Sequence, residues 1–373
     1  MKFSLTLLPK LLLLLPLATS FCQAGTTVAF LGGFTSPHSG TVLTDLNLEK
    51  GLRVFLKNFP AAAKELDFVK FDNKGDASNT AEEVKKIAQK KIRFILGVSK
   101  SNHALVVAPL ADQNHILFIT PAATNDQVTL NHPYVFRTCF SDSYQGKILA
   151  KFAIEELKGK RVLVMTNVDT PYSVGLSQSF IASIGDRVKI ATYHYLSEEM
   201  RIKELPAQIA SFKPDIVFIP DYVDNVPALV KEFYRIDQKL NFLGGDGWGG
   251  REVMDPMLSP LTDLKAYYAA IWNIEFPTPE NQAFVRQFKL LYPNDTVRSA
   301  SAGSYDALTI FWEAYKEAKS PKTPESVRKV LLSKTFNTTI GKVSFPNPMD
   351  PTPAKPVLMI RFQAGTHALY KTY

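Results

Sequence analysis

Several loops of this chain carry polar side chains directly after short apolar, β-branched runs. Ser99-Lys100-Ser101-Asn102 follows the run 94–96 and opens a helical stretch. Thr120-Pro121-Ala122-Ala123-Thr124-Asn125 follows the run 116–119. Free backbone N–H groups at a helix start, with a Ser or Thr hydroxyl beside them, suit an anion such as a carboxylate. Tyr172, Tyr222 and Asp246 follow three later runs of the same kind. One acid and two aromatic rings can hold an ammonium group by a charge-assisted hydrogen bond and a cation–π contact. Each residue also has a plainer reading. Ser101 as an N-cap would be worth about 1 kcal/mol, and a single tyrosine is often a packing residue. Their arrangement over two separate sets of loops favours ligand contact over packing.

Other chemistry is poorly supported. Gly245-Asp246-Gly247-Trp248-Gly249-Gly250 matches G-x-G-x-x-G after an apolar run. A dinucleotide site needs a helix opening at once and an acid ending the next strand. Trp248 would crowd the phosphate turn, Gly249-Gly250 is a poor helix start, and Asp263 precedes the next run instead of ending it. A tight turn presenting Asp246 at a sheet edge is the better expectation. The six histidines are scattered without an H-E-x-x-H pattern, and neither a P-loop nor a G-x-S-x-G elbow occurs. Ser326-Val327-Arg328-Lys329 fits S-x-x-K in a charged, helix-like setting that reads as a solvated face. The expectation is a binding protein without metal or cofactor, not an enzyme.

These loops need strands and helices to hold them. Apolar runs at 28–31, 68–71, 94–96 and 116–119 alternate with helix-like stretches at 46–56, 79–91 and 102–114. The rhythm breaks at 137–142 and restarts, with helices expected at 146–157, 174–183, 202–212 and 226–234 and strands at 161–165, 189–195, 215–219 and 241–243. Strands apolar on both faces and separated by helices imply parallel sheets covered on both sides, an α/β doubly wound fold. The break implies two such units. Ligands bind beyond the carboxyl ends of strands in these folds, where the polar loops lie. Residues 281–332 read as mostly helical. Five prolines between 346 and 356 exclude a helix there, and the end reads as extended.

Composition bounds the rest. The 373 residues are 46% hydrophobic and 21% charged, too apolar for a disordered chain and long enough for about two domains. Residues 1–24 have Lys2 and Lys10, a short leucine run and small residues, the layout of a secretory signal peptide cleaved after Ala24. A lipoprotein anchor at Cys22 is the competing reading, and Phe21 stands where such signals want a small residue. Removing Lys2 and Lys10 lowers the formal charge from +8 to +6. Without a Lys/Arg run, that excess makes no claim on nucleic acid. Cleavage also leaves Cys139 as the lone cysteine, between Phe136 and Phe140, suited to core or hinge packing more than to reactivity.

A set of motifs resembles one family. Phe118 to Asn125 (FITPAATN), then Val135-Phe136-Arg137-Thr138, Asp142 and Gln145-Gly146, is similar to the branched-chain amino acid binding proteins of bacterial ABC importers. Asp72 to Asp76, Asp169 to Gly175 and Phe242 to Gly247 continue the likeness over most of the chain. The resemblance implies a type I periplasmic binding protein: two α/β lobes, a ligand between them and three crossings, near Cys139, Ile274 and Met359. It implies lobe one at 25–138 and 276–357, and lobe two at 139–275 and 358–373. By position, Ser101 matches the residue that binds the ligand carboxylate, Ala123 and Thr124 those that bind carboxylate and amino group. Tyr172 and Tyr222 match aromatics of the second lobe, and Asp246 the acid that binds the ammonium. It further implies an amino-acid-like ligand, a membrane permease as partner, a periplasmic location and a monomer. A sensory protein of the same fold is the alternative reading, and an exported enzyme a third. Lys100 and Asp221 depart from the family pattern, so pairing across the closed cleft, an altered ligand choice and pointing into solvent are all open for them. The 34–44 segment does not align cleanly.

Overall fold

The computed structural model describes residues 25–36, 39–197 and 205–373. The expected leader, with Cys22, lies outside the described residues, as do the first residues of the helix expected at 202–212. Two sheets are built in sequence. The first contains β1 (Thr26–Gly32), β2 (Leu66–Asp72), β3 (Phe94–Gly97), β4 (Leu117–Thr120) and β5 (Val135–Arg137). Their order is β2-β1-β3-β4-β5 and every pairing is parallel. Helices α1 (Ser39–Asn58), α2 (Ala62–Glu65), α3 (Ala77–Gln89) and α4 (Ser101–Gln113) connect them, and α5 (Asp142–Glu155) follows β5.

The second sheet begins with β6 (Arg161–Asn167), β7 (Lys189–Tyr195), β8 (Ile216–Ile219), β9 (Asn241–Gly244) and β10 (Lys265–Ala270). Between them run α6 (Pro171–Ile184), α7 (Leu205–Phe212), α8 (Val226–Ile236) and α9 (Arg251–Leu258). The chain then returns to the first sheet's side with α10 (Pro279–Leu291), α11 (Ser299–Glu317), α12 (Pro324–Ser333) and the small hairpin β11 (Phe336–Thr338) and β12 (Gly341–Val343). It ends on β13 (Leu358–Gln363) and β14 (Thr366–Thr372), giving the order β14-β13-β10-β9-β8-β6-β7. β13 and β14 join antiparallel, so this sheet is parallel only as far as β10. A chain crossing from the other unit arrives at the opposite end of the sheet and must run back against β10.

Alternation along each strand explains the two-sided cover. Val28, Phe30, Phe94 and Leu96 pack with Leu48, Leu52 and Phe55 of α1 and with Leu308 and Phe311 of α11. Their neighbours Ala29, Leu31 and Ile95 face Val84, Ile87, Ala104 and Val107 of α3 and α4. In the second sheet Val162, Val164 and Phe218 meet α5 and α6, while Leu163, Met165, Val217 and Ile219 meet α8 and α9. Edge strand β14 shows the half-exposed alternation of a one-sided strand.

Local chemistry moved three boundaries. The Ser141 hydroxyl accepts the Tyr144 N–H at 3.3 Å, so α5 starts at Asp142 and not at 146. α1 starts at Ser39, well before the expected 46. The presumed link at 137 is the end of strand β5. Where the chain leaves the first sheet, Lys355 Nζ donates to the Thr138 carbonyl at 3.0 Å and stands 3.8 Å from Asp306 of α11, tying two of the passages between sheets together. Cys139 is buried beside them, and burial pushes its thiol up to about 12. Thiol reagents should therefore leave native Cys139 unmodified and label it only after denaturation. Stoichiometric labelling of the folded protein would contradict this packing.

Candidate functional site

Loops after β3 and β4 form one wall of the site. At the start of α4, Lys100 holds the N-cap position in extended conformation without a side-chain cap, and Ser101 is the first helical residue. Ser101 is thus not the N-cap. Its hydroxyl accepts the Asn125 N–H at 3.2 Å, tying the two loops together, and its own N–H faces the Tyr222 hydroxyl at 3.4 Å. Asp45 of α1 anchors the same wall from below by accepting Gly33 N–H at 2.6 Å and the Ser99 hydroxyl at 2.7 Å. Burial raises the Asp45 pKa.

Arg137 sets the shape of the second loop. It is completely buried. Its guanidinium donates to the carbonyls of Ala123 (3.2 Å), Thr124 (2.6 Å), Asn125 (2.9 Å) and Asp126 (3.2 Å), and to the Thr129 hydroxyl at 2.5 Å. A planar five-donor fork suits several carbonyls curling around one point, as one ammonium group does not. With its carbonyl turned inward, Ala123 sits in the core, while Ala122 and Thr124 line the cleft.

The opposite wall comes from the second sheet. Asp246 follows β9 in a single turn of 3₁₀ helix (Asp246–Gly249), the tight turn at a sheet edge expected from the sequence. Gln145 of α5, itself fully buried, clamps it twice: Gln145 Nε2 donates to Asp246 Oδ1 at 2.9 Å, and Asp246 N–H donates to Gln145 Oε1 at 2.8 Å. The Tyr172 hydroxyl accepts Gly247 N–H at 3.0 Å, and the Tyr172 and Tyr222 rings stack at 4.8 Å and 25°. Burial pushes Asp246 up to about 6, against the lowering effect of Gln145 and Tyr172. Asp142 is buried nearby, and burial together with the Asp246 charge raises its pKa. Both acids would welcome a cation.

The glycine-rich segment is explained by close packing, not by phosphate. A Cβ on Gly244 would lie 2.1 Å from the buried Trp248 ring, and one on Gly245 2.3 Å from the Tyr172 hydroxyl. Helix α9 opens only at Arg251, after that turn.

Between the walls lies a cavity of about 90 Å³. Of the six residues singled out by sequence, Thr124, Tyr172, Tyr222 and Asp246 line it, whereas Ser101 and Ala123 stand just behind its surface. Gly40, Leu43, Thr44 and Asn47 of α1 also line it; the first three fall in the 34–44 segment read as a loop, and Asn47 in the stretch read as helix from 46. Their i, i+3, i+4, i+7 spacing is one face of a helix and was the available signal. Val223, Ile271 and Ala300 add apolar wall that no motif announces.

The walls touch. Asn125 Nδ2 donates to the Pro171 carbonyl at 2.8 Å. Lys100 Nζ reaches Asp224 Oδ2 at 3.3 Å and lies 4.7 Å over the Tyr222 ring, while Gly40 N–H donates to Asp224 Oδ1 at 3.1 Å. Lys100 therefore pairs with Asp224 and not with Asp221. Asp221 is buried, accepting from the Tyr195 hydroxyl (2.7 Å), Asn167 (3.0 Å), Asn225 (2.9 Å) and Tyr222 N–H (2.7 Å), and so orients Tyr222 from beneath.

Comparison with known proteins agrees with this architecture. A periplasmic binding protein profile matches residues 26–366. A Leu/Ile/Val-binding protein of Rhizobium johnstonii is 24% identical over 298 residues, 79% of each chain. The structure of a leucine-binding protein from Thermotoga maritima superposes with a TM-score of 0.86 at 24% identity, covering 93% of this chain and 98% of that one. A solute-binding protein of an ABC transporter from R. palustris, in complex with 4-hydroxybenzoate, superposes with a TM-score of 0.81 at 16% identity, covering 94% and 97%. With a matched profile spanning nearly all described residues and two α/β units facing each other across a polar cleft, the chain belongs to the periplasmic binding protein family.

Proposed function

We propose that this solute-binding protein captures a small α-amino acid between two lobes and delivers it to the membrane permease of an importer. The observation that carries the reading is the opposite polarity of the two walls. One presents the start of α4 and Thr124, suited to a carboxylate; the other presents Asp246 beside Tyr172, suited to an ammonium. Ser101 would serve through its N–H, which a small opening of the cleft frees from the Tyr222 hydroxyl, whereas the Ala123 N–H and carbonyl are engaged by Thr120 and Arg137 and hold the loop in shape. In this reading the lobes are 25–138 with 276–357 and 139–275 with 358–373, and the working protein is extracytoplasmic, as its family implies.

A second reading, an aromatic carboxylate, is favoured by the stacked Tyr172 and Tyr222 and by the R. palustris complex. It leaves Asp246 without a cation, and so it ranks second.

A thermal-shift screen with calorimetric follow-up separates the two. L-leucine, L-isoleucine, L-valine and L-alanine should stabilise the protein, with a dissociation constant for the best of them near micromolar, about −8 kcal/mol. Stabilisation by 4-hydroxybenzoate and by no amino acid would overturn the first reading. The pH dependence adds a check. An ammonium ligand needs Asp246 ionised, and Asp246 titrates at about 6 in a setting that includes Asp142, Tyr172, Tyr222 and Cys139. Amino-acid affinity should hold from pH 8 to 7 and fall below pH 6, by up to about tenfold per unit. The sign for ligand-free stability is opposite. A raised carboxyl pKa contributes stability that is fully present below about pH 4 and is lost as pH rises through about 6. Affinity that stayed level down to pH 5 would remove Asp246 from the ligand.

A further inference from the structure

Asp224 makes two bonds that belong to neither wall alone. It lies in the same loop as Tyr222, two residues on and just before α8, and both of its carboxyl oxygens reach the opposite unit. Oδ1 accepts the N–H of Gly40, in the first turn of α1. Oδ2 meets the ammonium of Lys100, the N-cap residue of α4. One carboxylate thus spans the starts of two helices, and both ends carry the partial positive charge that favours an anion. Lys100 and Asp224 are mostly covered, at 17% and 28% side-chain exposure, so water screens the pair less than it would at an open surface. Gly40 has a matching shape: a Cβ there would lie 2.5 Å and 2.7 Å from the two Asp224 carboxyl oxygens. All three residues line the cavity.

We infer that Asp224, through Lys100 and Gly40, is a positioning residue that clasps the two units shut and slows ligand release. The inference rests on the reading that a solute is held between the lobes. Opening separates Asp224 from both partners, so the clasp acts on the closed state and leaves first contact with the ligand alone. It should therefore appear in the dissociation rate and not in the association rate.

The experiment uses the full mature chain with a fluorophore pair placed across the cleft, which reports closure with and without L-leucine as the probe. Asp224→Asn should speed L-leucine release roughly tenfold, the weight of one charge-assisted hydrogen bond and a partly covered ion pair, with association changed less than about twofold. It should also lower the closed fraction of the ligand-free protein. In about 1 M salt, where screening acts within about 3 Å, the gap between wild type and variant should narrow. Gly40→Ala is the decisive companion. Alanine favours helix over glycine by up to about 1 kcal/mol, so this variant should keep or raise thermal stability while still releasing L-leucine faster. A merely structural role would move both in the same direction. Release rates and ligand-free closed fractions unchanged in both variants would overturn the clasp. If L-leucine does not bind at all, the amino-acid reading fails, and the ligand-free closure measurement still decides the clasp by itself.

Discussion

Asp246→Asn is expected to abolish amino-acid binding while the protein stays folded. The substitution keeps the side chain's shape and an oxygen to accept from Gln145 Nε2, so the turn after β9 should persist. It removes the negative charge that faces the cleft. Losing one member of a buried charge pair costs about 2–5 kcal/mol, so affinity should drop ~100-fold or more. Ligand-free stability should not fall at pH 7, because burial already disfavours the ionised Asp246 carboxyl. Asp246→Ala should lose binding equally, but it also leaves Gln145 Nε2 without its acceptor and is the poorer test of charge. Titration calorimetry with L-leucine and L-isoleucine decides the matter. Unchanged affinity in the asparagine variant would remove Asp246 from the ligand's cation site, whatever else binds there.

Arg137→Leu is expected to be the most destabilising single change near the site. Arg137 donates to four consecutive carbonyls and a hydroxyl in a space closed to water. Each buried acceptor left unpaired costs about 1–3 kcal/mol, partly recovered by relaxation, so unfolding free energy should fall by on the order of 3–5 kcal/mol. Arg137→Lys should recover little of it, because one ammonium cannot meet carbonyls spread around a planar fork. Chemical denaturation measures both. A loss below about 1 kcal/mol for the leucine variant would mean that the 123–126 loop keeps its shape without the guanidinium. Ligand affinity should fall with the same substitution, since Thr124 and the backbone of that loop form the carboxylate wall.

Some of this was legible in the residues. Phe94-Ile95-Leu96 and Ile216-Val217-Phe218-Ile219 are apolar at every position, which only a strand covered on both faces tolerates, and both proved to be central strands. Polar residues immediately after such runs had to emerge at the carboxyl edge of a sheet, and Thr124, Tyr172, Tyr222 and Asp246 do line one cavity there. Within the glycine run the Trp248 ring occupies the space beside Gly244, which is why that position carries no side chain. These inferences worked because strand periodicity and turn sterics act over a few residues.

The misreadings share the opposite property. Gly40, Leu43 and Thr44 looked like loop because the helix signal of α1 was sought from Leu46 onward, and with Asn47 they turn one face toward the cleft between the units. Lys100 looked unpaired or matched to Asp221, yet its partner is Asp224, 124 residues away and three beyond the residue first considered. Local pattern determined that this chain forms two parallel α/β units, with anion-type loops on one and a lone acid between aromatics on the other. Which side chains turn into the cleft and which turn behind it was decided by tertiary structure alone. Arg137 pulls the Ala123 carbonyl inward, Asp221 spends its charge beneath Tyr222, and Asp224 reaches across. Such choices depend on hydrogen bonds between distant segments, whose strength depends on burial and distance and leaves no periodic mark in the sequence.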